Sequence, residues 1–442
     1  MHVPDPVPTR CRCARHDRHI LRLTCGAWQS RGAPVAVHPN PMHRQGLVIP
    51  PVTEDVRRFH ERLDGYVPTP LRRLDPLAEQ LGVAEVWVKD EAWRLGLPAF
   101  KVLGASWATY RLLEQRRGAT FEPWSSIADL RDRVAELAVG SGRSEVKTRF
   151  GTAGAPAPSP AALSTAPLTL AAATDGNHGR AVARMAKLLG LTSRIRVPAG
   201  TVAARIDAIA SEGAEVTVSD GGYDDAVAEV AAWADDTTLV VSDTSWEGYE
   251  QVPAWIIEGY STIFAEVAEQ FADAGSPGPT VVCVPVGVGA FAAATVGAYR
   301  RPDEEPALVA AVEPVDAACV MASAVAGEVI TLEGEQHSIM AGLNCGTPSP
   351  IAWPLVSQGV DVFVTVTDDE ARAAMRALAD VGVVSGESGA ASYAGAVQLA
   401  AAGRLVASDR VLLLSTEGAT DPVAYEQIVG HPPPSRPMSP AT

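Results

Sequence analysis

Val281-Val282-Cys283-Val284-Pro285-Val286-Gly287-Val288-Gly289-Ala290-Phe291-Ala292 is the stretch that decides the fold. Its apolar, valine-rich first half predicts a buried strand, and the alanine-rich run on to Tyr299 predicts a helix. Between them, two glycines one residue apart predict a tight turn. In such a unit successive backbone N–H groups and the positive end of the helix face one point, which suits an anion such as a phosphate. The same letters satisfy the G-x-G-x-x-G/A pattern of dinucleotide-binding turns, with Glu313 at the end of the next strand in the place of a ribose-binding acid. Taken alone, the glycines also fit a plain packing turn.

The unit is one of a series. Strand-then-helix pairs are predicted at 168–173 and 179–189, 193–197 and 203–212, and 214–218 and 223–234, followed by a strand at 238–241. Upstream, 84–89 reads as a strand and 101–114 as a helix. Downstream come a helix at 253–270, the strand 280–285, a helix at 291–299, and strands at 308–312 and 411–415. Strands that alternate with helices make parallel sheets covered on both faces, so the fold class is α/β.

At 442 residues the chain exceeds one ordinary domain, and two lobes are expected. With 47% hydrophobic and 20% charged residues the composition is globular, which excludes wholesale disorder. A net charge of −16 repels polyanions and excludes nucleic acid and anionic membrane as partners. Residues 280–299 are apolar, but Pro285, Gly287, Gly289 and Gly297 interrupt them, so no membrane span is expected. Six cysteines form no disulfide framework, and no apolar leader core is visible, which points to a reducing cytoplasm. Residues 1–45 hold seven arginines against two acids and are expected to be a disordered arm. Cys11, Cys13, His16, His19 and Cys25 cluster there, but their spacing fits no common zinc module, so no metal is expected. The five prolines of 431–442 predict a disordered tail, and the Gly/Ala/Pro/Ser-rich part of 118–168 an insertion loop.

Three further motifs carry chemistry. Lys101, one of only four lysines, lies between Phe100 and Val102 at a helix start, where desolvation and the helix dipole both favour the neutral amine needed for imine formation. A surface lysine with a snorkelling stem is the plain alternative. Ala173-Thr174-Asp175-Gly176-Asn177-His178-Gly179 is a strand-to-helix loop whose backbone N–H groups suit a carboxylate, while Asn177 can donate to a phenolic oxygen. Capping of the helix by these side chains is equally readable. Ser415-Thr416-Glu417-Gly418 follows a strand, and a hydroxyl there can reach a ring nitrogen, or simply make a turn.

Together with Gly65 to Leu71, Asp243-Thr244-Ser245-Trp246-Glu247-Gly248-Tyr249, Val312-Glu313-Pro314, Met340 to Gly346 and Ser385 to Ala390, these motifs resemble pyridoxal-phosphate enzymes of the tryptophan-synthase-β or threonine-dehydratase fold type. The similarity is greater to the diaminopropionate ammonia-lyase family, and runs in order over roughly 55–430. The resemblance implies an active site in the cleft between two lobes, each with a helix-covered, mostly parallel sheet. The large, cofactor-binding lobe is assigned 46–104 and 245–430, and the small, substrate lobe 105–244.

The resemblance also implies pyridoxal phosphate held by Lys101 as an imine, with its phosphate on Gly287, Val288, Gly289, Ala290 and Phe291. Asn177 lies near the ring oxygen, and Thr416 or Ser415 near the ring nitrogen. The substrate carboxylate falls to the loop of Thr174, Asp175, Gly176 and His178. Asp175, where dehydratases usually have serine, and Asp243 suit a second ammonium group on the substrate. Lys101, Asp175 and Asp243 form the implied catalytic set, with Asp175 as base for the D isomer. Read singly, Asp243 is a strand-end turn residue, His178 a loop residue, and Trp246 and Tyr249 packing aromatics. The implied reaction is β-elimination of 2,3-diaminopropionate (D and/or L) to pyruvate and two ammonia, by a carbon–nitrogen lyase that is a homodimer. A serine/threonine dehydratase and a non-catalytic pyridoxal-phosphate or amino-acid binding protein are the other readings. Whether Cys319 and Cys345 pair is left open.

Overall fold

A computed structural model describes residues 36–139, 168–174, 176–302 and 305–434. Residues 1–35 and 435–442, most of the expected insertion loop (140–167), and Asp175 lie outside the described residues, as do the N-terminal cysteines and histidines.

The larger sheet has seven strands in the order β1-β10-β9-β8-β11-β3-β2. These are β1 (Val37–Pro39), β2 (Leu71–Arg73), β3 (Glu85–Asp90), β8 (Val281–Pro285), β9 (Leu308–Pro314), β10 (Val362–Val366) and β11 (Arg410–Ser415). The five inner strands are parallel, and the two short outer ones pair antiparallel. Inner strands bury both faces, which is why they read as unbroken apolar runs. Val282, Val284, Leu412 and Leu414 pack on one side with the helices Val102–Arg117 and Ala290–Tyr299. Val281, Cys283, Val411 and Leu413 pack on the other side with Asp368–Asp380 and Glu387–Ala401.

The smaller sheet is all parallel, in the order β6-β5-β4-β7: β4 (Thr169–Ala173), β5 (Thr192–Val197), β6 (Glu215–Val218) and β7 (Thr238–Val240). The two expected helix-covered, mostly parallel sheets are present. Among the described residues no helix is long and apolar enough to cross a membrane.

Three expectations need correction. Residues 37–45 of the expected 1–45 arm are folded against the larger sheet, because Val37–Pro39 forms β1 on β10 and the Asn40 amide donates to the carbonyls of Ser357 and Val360 at 2.8 and 2.7 Å. The single helix at 253–270 is two, Gln251–Gly259 and Ser261–Asp273. The break falls where Gly259 crosses the helix Val102–Arg117 so closely that a Cβ there would come within 2.6 Å of the Leu103 carbonyl oxygen. Finally, β1, β2 and β10 were not anticipated, and β1 and β2 at three residues each are too short to show a period of two.

Candidate active site

A cleft of about 710 Å³, counting its solvent-open part, lies at the carboxyl ends of the strands of both sheets. Segments that follow β4, β7, β8 and β11 line it, together with Lys101. Phe100 packs its ring against Tyr260 and Phe291, with centroids 4.7 and 4.3 Å apart, which seats Lys101 at the cleft floor. Lys89, by contrast, is fully buried and donates to Glu266, Gln270 and the Thr69 carbonyl, while Lys187 is exposed on a helix and Lys147 lies outside the described residues. Lys101 is therefore the described lysine with chemistry in reach.

Lys101 Nζ donates to Asp243 Oδ2 at 2.7 Å, and the Tyr223 hydroxyl donates to Asp243 Oδ1 at 3.1 Å. His178 Nδ1 lies 4.0 Å from Oδ2. Burial by itself would raise the Asp243 carboxyl, but the Lys101 charge and then His178 outweigh it and hold the group well below the usual carboxylate range. The ion pair opposes the neutral amine expected from the residues flanking Lys101. The sequence shows those flanks, but not a carboxylate 142 positions away.

The glycine turn after β8 is shaped for an anion. Gly289 adopts φ +98°, a left-handed conformation that suits glycine, and begins the helix Ala290–Tyr299. The Val288 carbonyl accepts the Ser349 amide at 2.8 Å, and the first helical turn carries no acid. A Cβ on Gly287 would lie 3.0 Å from the Gly342 carbonyl oxygen and 3.1 Å from Cys345 Sγ, so the backbone is approached closely there. Gly287 to Phe291 all line the cleft. Cys319, a free buried thiol, sits behind the turn with Sγ 3.9 Å from the Gly287 carbonyl oxygen.

Glu313 does not stand where a ribose would bind. Its two carboxylate oxygens accept the Val320 and Met321 amides at 2.9 Å each, and so cap the helix Cys319–Ala326. That removes the acid on which the dinucleotide reading depended.

The 174–178 loop divides. Asn177 lines the cleft; Thr174, Gly176 and His178 do not. The Thr174 amide donates to Arg196 O at 3.0 Å, and its hydroxyl accepts the Gly176 and Gly179 amides at 2.9 and 3.0 Å. Thr174 and Gly176 therefore organise the helix start rather than offer N–H groups to a carboxylate, which is the capping alternative. His178 Nε2 donates to Val241 O at 2.7 Å and ties that helix to the end of β7.

Of the two hydroxyls at the end of β11, Thr416 lines the cleft, whereas Ser415 donates to Ser385 Oγ at 2.8 Å behind it. Sequence reasoning missed Tyr223, Ser388 and Glu417 as lining residues. Tyr223 showed only as the first residue of a helix after Gly221-Gly222, and Glu417 only as a member of a turn.

Beside Glu417, burial and then the Glu417 charge push the Glu387 carboxyl up to about 7 from an ordinary 4.5. An acid raised on folding binds more protons folded than unfolded, so its effect is absent below about pH 4.5 and grows as a destabilisation until about pH 7. Glu387→Gln is expected to stabilise the protein by about 2 kcal/mol at pH 8 and by almost nothing at pH 4.5, as read by thermal unfolding at the two pH values. An equal shift at both would rule out ionisation as the cause.

Residues 131–417 match the family described as pyridoxal-phosphate dependent enzyme. The chain is 35% identical over 406 residues to a diaminopropionate ammonia-lyase of Salmonella typhimurium, covering 86% of this chain and 92% of that protein. A solved structure of Escherichia coli diaminopropionate ammonia lyase, in complex with an aminoacrylate-PLP azomethine reaction intermediate, superposes with a TM-score of 0.75 at 32% identity, covering 89% and 96% of the two chains. Similarity to an L-threonine dehydratase of Mycobacterium leprae is 30% over 264 residues and reaches 58% of this chain and 57% of that one.

Proposed function

The chain belongs to the pyridoxal-phosphate-dependent enzymes and, among them, to the diaminopropionate ammonia-lyases, and from that premise we propose that it splits 2,3-diaminopropionate by β-elimination into pyruvate and two molecules of ammonia. The observation that carries the reading is an ionised, buried Asp243 beside the cleft lysine.

The residues present fit the cofactor. Lys101 would hold its aldehyde carbon, and the helix start at Gly287 to Phe291, where a side chain on Gly287 would crowd the Gly342 carbonyl and Cys345, would hold its phosphate. Asn177 would meet the ring oxygen and Thr416 the ring nitrogen. Once bound, the cofactor supplies an electron sink for breaking the Cα–H and Cβ–N bonds.

The chain's own groups do the rest. Lys101 Nζ takes the Cα proton of the L isomer, and Asp175 serves as the base for the D isomer. When Lys101 is engaged elsewhere, Asp243 is left as a fixed anion in the cleft. It then pairs with the second ammonium of the substrate and keeps that nitrogen protonated, the form in which it leaves as ammonia. The Tyr223 hydroxyl holds the carboxylate in position. The enamine product takes up one water to give pyruvate and the second ammonia.

The division into a lobe of 46–104 with 245–430 and a lobe of 105–244 is supported by β2, β3 and β8–β11 forming one sheet and β4–β7 another, while β1 and the helix Val102–Arg117 extend the larger unit beyond those bounds. A cytoplasmic site is supported by the free, buried thiols of Cys283 and Cys319, and a homodimer by family resemblance.

Pyruvate release from D- and L-2,3-diaminopropionate, serine and threonine tests the reading, with wild type and Asp175→Asn run together. Diaminopropionate is expected to be the best substrate by at least about tenfold in kcat/KM, and the variant to lose more on the D isomer than on the L isomer. Equal or better turnover of the hydroxy amino acids makes the enzyme a dehydratase instead, and unchanged D turnover removes the role of Asp175.

A further inference from the structure

We propose that Glu417 is a positioning residue that sets which end of the Asn177 amide faces the cleft. The inference rests on the cofactor reading above and deepens it.

A side-chain amide presents a donor at one end and an acceptor at the other with almost the same shape, so packing alone does not select between its two orientations. A carboxylate only accepts, and Asn177 Nδ2 donates to Glu417 Oε2. That contact fixes nitrogen, not oxygen, as the atom turned toward Glu417. The same nitrogen carries a second N–H, and Asn177 lines the cleft, so the group it offers there is a donor. With the amide reversed, Oδ1 would meet an electron-rich ring oxygen and repel it.

Glu417 can dictate this orientation because it is itself held. The residue is 2% exposed, and Oε1 accepts the Ser388 amide at 3.1 Å. Ser388 lies in the first turn of Glu387–Ala401, whose positive end favours a carboxylate there. The Glu417 carbonyl accepts the Gly386 amide at 3.0 Å, and its backbone bridges to Ala99, two residues before Lys101. Glu417 therefore belongs to the same frame as the cleft lysine, whereas Asn177 starts a helix that follows β4 of the smaller sheet. The hydrogen bond spans 240 positions and registers the two parts of the site against each other.

The test uses full-length protein and reads pyridoxal-phosphate dissociation and the absorption maximum of the bound cofactor as a function of pH, for wild type, Glu417→Gln, Asn177→Ala and the double variant. Glutamine keeps the size of the side chain but can turn its own amide, so it no longer dictates the orientation of Asn177. Glu417→Gln and Asn177→Ala are each expected to weaken cofactor binding about tenfold and to shift the absorption in the same direction. The double variant is expected to be no weaker than Asn177→Ala alone. Thermal unfolding of the cofactor-free forms separates these effects from loss of fold.

If Glu417→Gln keeps wild-type affinity and absorption while Asn177→Ala loses them, or if the two losses add in full, Glu417 does not act through Asn177. An inert Asn177→Ala likewise overturns the inference but leaves the reading of Lys101 and the glycine turn intact. That reading falls only if the wild type binds no cofactor.

Discussion

Lys101→Ala is expected to lower the turnover of 2,3-diaminopropionate at least about 10³-fold, measured as pyruvate release at saturating cofactor. Two functions are lost at once, the covalent hold on the aldehyde and the amine that takes the Cα proton. No described group can substitute: Lys89 is enclosed by Glu266, Gln270 and the Thr69 carbonyl, and Lys187 is on an exposed surface. Lys101→Arg separates charge from chemistry. A guanidinium can still pair with Asp243 but stays protonated and forms no imine, so it is expected to be as inactive as alanine while unfolding closer to the wild-type temperature. The alanine variant leaves a buried carboxylate without its main counter-charge and should be the less stable of the two. Retention of a tenth or more of wild-type turnover in either variant would assign the chemistry to another group.

What the sequence made visible was local in kind. The glycine turn after β8 and the lysine after Phe100 each declare themselves within a dozen residues, because a strand, a turn and a helix start are short-range decisions. The strand-helix alternation predicted the strands β3 to β9 and β11 for the same reason. Side-chain orientation and distant partners are of another kind. Thr174 and Glu313 are polar residues at the ends of strands, and nothing adjacent to them says that their oxygens cap helices rather than meet a ligand. Ser415 and Thr416 differ by one step along a strand end, and that step decides which hydroxyl faces the cleft. Tyr223 joins Asp243 only once the smaller sheet is assembled, and Asn177 joins Glu417 only once both sheets are. The charge balance at Lys101 had the same origin: the flanking residues were legible, the counter-ion was not.

Asp243→Asn should convert that counter-ion into a measurement of specificity. Against the effect of burial, the carboxylate is held well below its usual range by the Lys101 charge beside it. Asparagine keeps the shape and an oxygen for the Tyr223 hydroxyl but removes the charge. A substrate with a second ammonium then loses a charge-assisted partner in a partly dry cleft, whereas serine, with a neutral hydroxyl at the same carbon, loses little. The expected result is a fall of about 10²-fold or more in kcat/KM for 2,3-diaminopropionate against less than tenfold for serine, which narrows or inverts the preference between them. Because Asp243 also pairs with Lys101, its loss can disturb cofactor retention, and that disturbance would depress both substrates alike. The discriminating quantity is therefore the ratio of the two kcat/KM values. A ratio equal to that of the wild type would make Asp243 a partner of the lysine alone, and recognition of the second ammonium would then have to come from elsewhere in the cleft.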